Sequence, residues 1–303
     1  MKKLLFSLAA TSLLAVASPA SAVPPAQVRG LDLPAILGIC DQARRITMEL
    51  DGVQPQTLKR LQTIVIDPGH GGENQGALGV AGIHEKFITL ELAYALRDEL
   101  QAKYPAARIV MTRYWDVSVG LTDRIAYANT IGADLFVSLH YNAATHSRAI
   151  GFETYFLTSS EATPGQEQVK GEPIATAAPS ATGIKQELST DPKASTFNEV
   201  MVEMQADLAR QRQHTDSALF AQLANEGLAH RLTSVNRGVK QANFAVLRGA
   251  LMPAIVVESG FVTHTTEGRD VLTERHRSKV VGGLVEAIEK LDQQLDQRDT
   301  PSN

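Results

Sequence analysis

A chain of 303 residues, 44% hydrophobic and 20% charged, can bury one large core or two small ones, and its even composition excludes a disordered or fibrous protein. A formal net charge of −4, with 33 acidic against 29 basic residues, argues against nucleic acid as a partner. The single cysteine, Cys40, excludes an internal disulfide, so stability must come from the core.

The first 22 residues differ from the rest. Lys2 and Lys3 precede an apolar run from Leu4 to Val16, and Ala20-Ser21-Ala22 fits the small-x-small pattern of signal cleavage. Residues 1–22 are therefore expected to be a signal peptide, removed on export to the periplasm or the cell wall. The run falls short of the roughly 20 residues that span a bilayer. Without this segment the balance is 27 basic against 33 acidic residues, a formal charge of −6. Cys40 lies too far from Ala22 to be a lipid-modified first residue, and no later stretch is long and apolar enough to serve as a transmembrane anchor. Residues 23–60 form an N-terminal segment with no assigned role.

From there, strand-like and helix-like segments alternate. Thr63–Asp67 reads as a strand, Phe87–Lys103 as a helix, Arg108–Thr112 as a strand, Leu121–Ile131 as a helix and Asp134–His140 as a strand. Further strands are expected at Gly151–Leu157, Phe244–Leu247 and Ala254–Glu258. A closing helix carries Val281, Leu284, Ile288, Leu291 and Leu295 on one apolar stripe, leaving 296–303 as a tail. Such alternation implies crossover connections, hence an α/β fold with a mostly parallel sheet and helices on both of its faces. One domain, 61–295, is expected. Residues 158–195 break the pattern with Pro164, Gly165, Gly171, Pro173, Pro179, Gly183 and Pro192, and read as an insertion. It ends at the capping box Thr196-Phe197-Asn198-Glu199, which opens a helix carrying Val200, Met201, Met204 and Leu208, whose Met pair is expected to fill core rather than form a binding surface.

The chemistry gathers at strand ends. Ligands of open α/β sheets bind beyond the carboxyl ends of the strands. His70 follows the first strand in Asp67-Pro68-Gly69-His70-Gly71-Gly72, His140 ends another, and Glu258 ends a third after an apolar run where a carboxylate is costly to bury. Two imidazoles and a carboxylate on one rim suit zinc, which takes nitrogen and oxygen donors and keeps a position open in catalytic sites. Either His84 or Glu85, at the start of the first helix, can supply the third ligand, and the residues alone leave that choice open. The plainer readings are a structural turn or a phosphate cradle. The cradle fails the nucleotide patterns, since Asn74 stands where the dinucleotide fingerprint wants its last glycine and no Gly-Lys-Ser/Thr follows. The spacing alone is not diagnostic, for there is no HExxH or CxxC.

Taken together, IVIDPGHGG, the Glu of HEK, Thr112-Arg113, the LTDR and AN stretch, DLFVSLHYNA, RGVKQANFAVLR and PAIVVESGF resemble the zinc-dependent N-acetylmuramoyl-L-alanine amidases, which cut peptidoglycan. The likeness runs from about Thr63 to Leu291, with the motifs in the family's order. It implies a mixed, mostly parallel sheet flanked by helices. It also implies zinc held by His70, Glu85 and His140, with Glu258 as the catalytic glutamate, and hydrolysis of the amide joining the lactyl group of N-acetylmuramic acid to L-alanine. Asp67, three residues before His70, can accept the free ring N–H of that histidine, or can simply form a turn. Asn142 and Arg113 are candidate substrate contacts, against an equal reading as solvated surface.

Residues 23–60 are too few for the wall-binding module that many relatives carry, which implies targeting by a partner. In relatives that split daughter cells an insertion at the position of residues 158–195 contains a helix that covers the zinc until an activator displaces it. Here only Gly183–Leu188 looks helical. Two readings stand: Glu187 closes the open coordination position, or the loop is merely solvated. Rival functions are a zinc peptidase or deacetylase acting on the wall, and a non-catalytic wall-binding protein.

Overall fold

Both faces of the central strands must be covered, because their sequences are apolar almost without break. In Thr63–Pro68 (β1), Ile64 and Ile66 enter one core and Val65 enters a second on the opposite face. In Ala254–Phe261 (β6) every residue is buried. The structure, a computed structural model, describes residues 56–145, 148–158 and 192–300, with only the helical backbone for 192–199. These residues belong to one compact unit, Pro55–Asn303.

After β1 the chain runs through Glu85–Lys103 (α1), Arg108–Met111 (β2), Leu121–Thr130 (α2), Leu135–Asn142 (β3) and Phe152–Leu157 (β4). It continues with Pro192–Ala229 (α3), Asn236–Ala242 (β5), β6, Glu267–Asp270 (α4) and Glu274–Asp299 (α5). Six strands form one sheet in the order β2-β1-β3-β6-β4-β5. The first four in that order run parallel, β4 is antiparallel to β6, and β5 follows β4. The expected mixed, mostly parallel sheet with helices on both faces is what forms. Leu92, Leu96 and Leu100 of α1, Phe220 and Leu228 of α3, and the stripe Val281, Leu284, Ile288, Leu291 and Leu295 of α5 fill one face. Ile125 and Ala128 of α2, with Val246 and Leu247, fill the other.

The α3 and α5 backbones touch, since a Cβ on Gly227 would lie 2.3 Å from the Gly283 carbonyl oxygen. Residues before 61 also join this unit: Leu58 is buried, and the Asp292 carboxylate accepts from the backbone N–H groups of Lys59, Arg60 and Leu61.

Three expectations are corrected. Phe244–Leu247 is not a strand; Ala245–Leu247 is a short 3₁₀ turn closed by Leu247 N–H donating to the Phe244 carbonyl. The strand in this region is β5, which goes unread in the sequence because it is an edge strand whose NRGVKQA lacks apolar alternation. The Met201 and Met204 pair does not fill core: both are exposed, as are Val200 and Leu208, because α3 meets the sheet only further along, around Phe220–Leu228. This helix begins at Pro192, four residues before the expected cap. Most of the 158–195 insertion, including Glu187, and residues 1–55 lie outside the described residues. Among the described residues no helix is long and apolar enough to cross a membrane.

Candidate metal centre

His70, Glu85 and His140 converge at the carboxyl ends of β1 and β3, with one ligand atom of each within 4.8 Å of the others. His70 Nε2 lies 3.0 Å from Glu85 Oε2, and His140 Nδ1 lies 3.2 Å from Glu85 Oε1. The two imidazoles meet edge to face with centroids 4.7 Å apart. Glu85 opens α1 and is nearly fully buried, fixed by Ala77 N–H at Oε2 (3.0 Å) and Tyr141 N–H at Oε1 (2.9 Å). His84 caps that helix one residue earlier, and its Nδ1 is buried outside the group.

The loop after β1 explains how His70 gets there. It stands at φ 62°, a conformation that favours glycine, and Gly71 (122°) and Gly72 (60°) continue the turn. Gly69 leaves room for the His140 ring: a Cβ there would sit 2.3 Å from His140 Cε1 and the ring would have to move. Two buried arginines hold the loop's carbonyls. Arg113 donates to Pro68 O and Gly69 O, and Arg124 to Pro68 O and His70 O. Arg113 is thus committed to backbone, at 2% exposure, and not placed as a substrate contact. Burial, with Arg124 nearby, pulls its guanidinium down to about 10.

Asp67, for which the His70 ring is one of two readings, faces elsewhere. Its fully buried carboxylate takes Arg124 Nη1 and Ser138 Oγ, each at 2.7 Å, and the Thr112 hydroxyl. The ion pair repays its desolvation through these added hydrogen bonds. The ring partner of His70 is Asn74, whose Oδ1 lies 2.8 Å from Nδ1. That contact places a proton on Nδ1 and leaves Nε2 as the ring nitrogen that faces Glu85.

Burial alone would raise the Glu85 carboxyl, but hydrogen bonds from His140 and His70 outweigh it and hold the group well below the usual carboxylate range. Burial likewise works against a charged His70, yet its bond to Glu85 raises it. Both shifts are two sides of one contact, an ionised carboxylate held between imidazoles. Two imidazole nitrogens and a carboxylate oxygen are donors that fit zinc, so the residues present could hold such an ion.

Glu258 stands beside this group. It is the register partner of His140 across β3 and β6, so the two side chains share a face of the sheet. Its Oε2 is buried and has no hydrogen-bond partner among the described residues. Burial first, then the charges of Glu85 and Glu153, push its carboxyl well above the usual range. Asn142 donates to Glu153 Oε1 at 2.7 Å. Sequence reasoning missed Glu153, Asn74 and Arg124. A lone acid in the apolar FETYFL of β4 was the available signal for Glu153, of the same kind that marked Glu258.

Fold and side chains together define an α/β protein able to hold a metal ion at the carboxyl ends of its strands, next to an unpaired buried acid. The chain belongs to the N-acetylmuramoyl-L-alanine amidase family, whose sequence model matches residues 64–290. It is similar to the N-acetylmuramoyl-L-alanine amidases AmiC of Neisseria meningitidis serogroup B and AmiA of Escherichia coli K12. Identity is 30% over 232 residues of the first, covering 76% of this chain and 53% of that protein. For AmiA it is 30% over 228 residues, 75% of each. The chain thus spans about half the length of the meningococcal relative. Among solved structures, an amidase from Clostridium difficile 630 is similar at 25% identity and TM-score 0.55, covering 80% of this chain and 100% of that one. The catalytic domain of CwlV from Bacillus (Paenibacillus) polymyxa shares the fold at 24% identity and TM-score 0.55, covering 78% and 98%.

Proposed function

We propose that this chain is a zinc-dependent hydrolase that cuts the amide between the lactyl group of N-acetylmuramic acid and L-alanine in peptidoglycan. The observation that carries the reading is the His70, Glu85 and His140 group standing beside the buried Glu258, whose Oε2 has no hydrogen-bond partner among the described residues. The names of the relatives support the choice of bond.

His70, Glu85 and His140 would hold the ion. When bound, zinc acts as a Lewis acid that polarises a carbonyl and lowers the pKa of water towards ~7. Glu258 takes the proton of the attacking water and returns it to the nitrogen of the departing alanine. A carboxyl raised by burial suits both duties, because it takes up a proton more readily than an exposed carboxylate and then holds it beside the leaving nitrogen. Asn74 fixes the His70 ring, while Arg113 and Arg124 fix the loop that carries it. Residues 1–22 serve as the export signal, which delivers the enzyme to the wall.

Two variants test the assignment. Glu258→Gln keeps zinc and fold but loses turnover by about 10²-fold or more, because an amide cannot take the proton. His140→Ala loses zinc on metal analysis. Near-normal turnover in the first variant would refute the role of Glu258, and full zinc content in the second would refute that of His140.

A further inference from the structure

The row that begins at His140 and Glu258 does not stop there. Glu153 of β4 is the antiparallel register partner of Glu258, so its side chain stands on the same face, one strand further on. Its carboxylate is 4% exposed and fully engaged. Oε1 accepts from Asn142 Nδ2 and from the Tyr155 hydroxyl at 2.9 Å, and Oε2 accepts from Arg237 Nε at 3.0 Å and from Lys240 Nζ. Burial opposes ionisation of Glu153, but these donors outweigh it and keep its carboxyl low. Glu153 is an anion.

One cation would neutralise it. The structure supplies two, from β5, and both remain accessible, with 36% of the Arg237 and 39% of the Lys240 side chain exposed. Each lies over an aromatic ring: Arg237 over Phe261 at 5.2 Å, and Lys240 over Tyr155 at 5.7 Å. Neither forms an ion pair with Glu258, whose Oε2 has no partner. One positive charge is left over, held in place, at the β5 end of the catalytic row.

We propose that Arg237 and Lys240 form an anion subsite that seats a carboxylate of the leaving peptide, one residue beyond the alanine, and make the chain selective for acidic over amidated stem peptides. The inference rests on the amidase reading. Reach agrees with it. Neighbouring strands are about 4.8 Å apart, and an extended peptide advances about 3.3 Å per residue. A carboxylate on the second residue therefore lies about 7 Å from the cut bond, close to one strand spacing beyond Glu258, where the two cations meet Glu153. In this arrangement the peptide runs from the cut bond towards β5.

The test compares two soluble muropeptides that differ only at the second residue, D-glutamate with a free carboxylate or its carboxamide, each cleaved by the zinc-loaded full chain. The wild type is expected to favour the acidic one by about tenfold in kcat/KM, the scale of one charge-assisted contact. Arg237→Gln and Lys240→Gln should each reduce that ratio, and the double variant should bring it to about one while cleavage of the amidated substrate persists. A role confined to holding Glu153 would lower both substrates together and leave the ratio alone, which overturns the proposal. Salt supplies an arm that needs no variant: KM for the acidic substrate should rise with sodium chloride while that for the amidated one holds, and equal responses would also overturn it. If the wild type releases peptide from neither substrate, the amidase reading itself fails and takes the subsite with it.

Discussion

His70 is the only non-glycine with positive φ among the described residues, at 62°, and the strain is retained because the surroundings over-determine it. Its carbonyl, its ring and the next peptide are held by Arg124, Asn74 and the Asn74 carbonyl respectively. The histidines and Glu258 were legible in the sequence because each follows an apolar strand run that ends abruptly. The choice between His84 and Glu85 was not, since it depends on which side of the first turn of α1 faces β3. The partners of Asp67 were hidden for a related reason: alternation along β1 aims its side chain at Ser138 and Arg124, and neither the His70 ring nor a turn reading names them. The raised Glu258 carboxyl has a consequence for stability. In the folded, metal-free protein it holds its proton above the range where the unfolded chain releases it, near 4.5. Its stabilising share is therefore present below that pH and is lost as pH rises through the folded value. Metal-free Glu258→Gln should melt a few degrees above the wild type at pH 7, and the gap should close below pH 4.5. Equal melting temperatures at pH 7 would show that the buried carboxyl is not strained.

Among the elements, the turn between β1 and α1 is built by glycine and arginine, and each makes a separate prediction. Gly69→Ala pushes a methyl into the His140 ring, so the fold should persist by circular dichroism while zinc affinity falls by about 10-fold or more, read by competition with a chelator. An unchanged affinity would mean that the loop has room to yield. Arg124→Ala leaves Asp67 buried without its cation, frees the carbonyl of His70 and takes from the Pro68 carbonyl one of its two arginine donors. A loss of about 3–5 kcal/mol in denaturant unfolding is expected. A loss under about 1 kcal/mol, the scale of an exposed ion pair, would show that the arginine does not hold the turn. Neither device shows in the periodicity of the sequence. The strands do, because burial on both faces makes them continuous apolar runs, whereas β5 is an edge and stayed hidden. The helical stretch at 200–208 misled in the opposite sense: its apolar residues look like core and are exposed.

Across the whole molecule, alternation of strands and helices was enough to give a mostly parallel sheet with two covered faces, since crossover connections allow little else. It could not give the strand order or the reversal of β4, which depend on contacts far apart in the chain. That reversal matters, because it sets Glu153 against Glu258 and brings β5 with its two cations to the end of the row. The rim is consequently polar in one direction, with the metal group at β1 and β3, the unpaired acid at β6 and the positive charge at β5. Mass analysis of purified peptidoglycan digested by the zinc-loaded chain, with and without a chelator, puts the reaction itself to the test. Intact stem peptides with a free L-alanine amino group are expected, together with glycan strands whose lactyl carboxyls are bare, and no release when zinc is withdrawn. Products cut within the peptide or within the glycan, or release that survives the chelator, would contradict a zinc-dependent amidase.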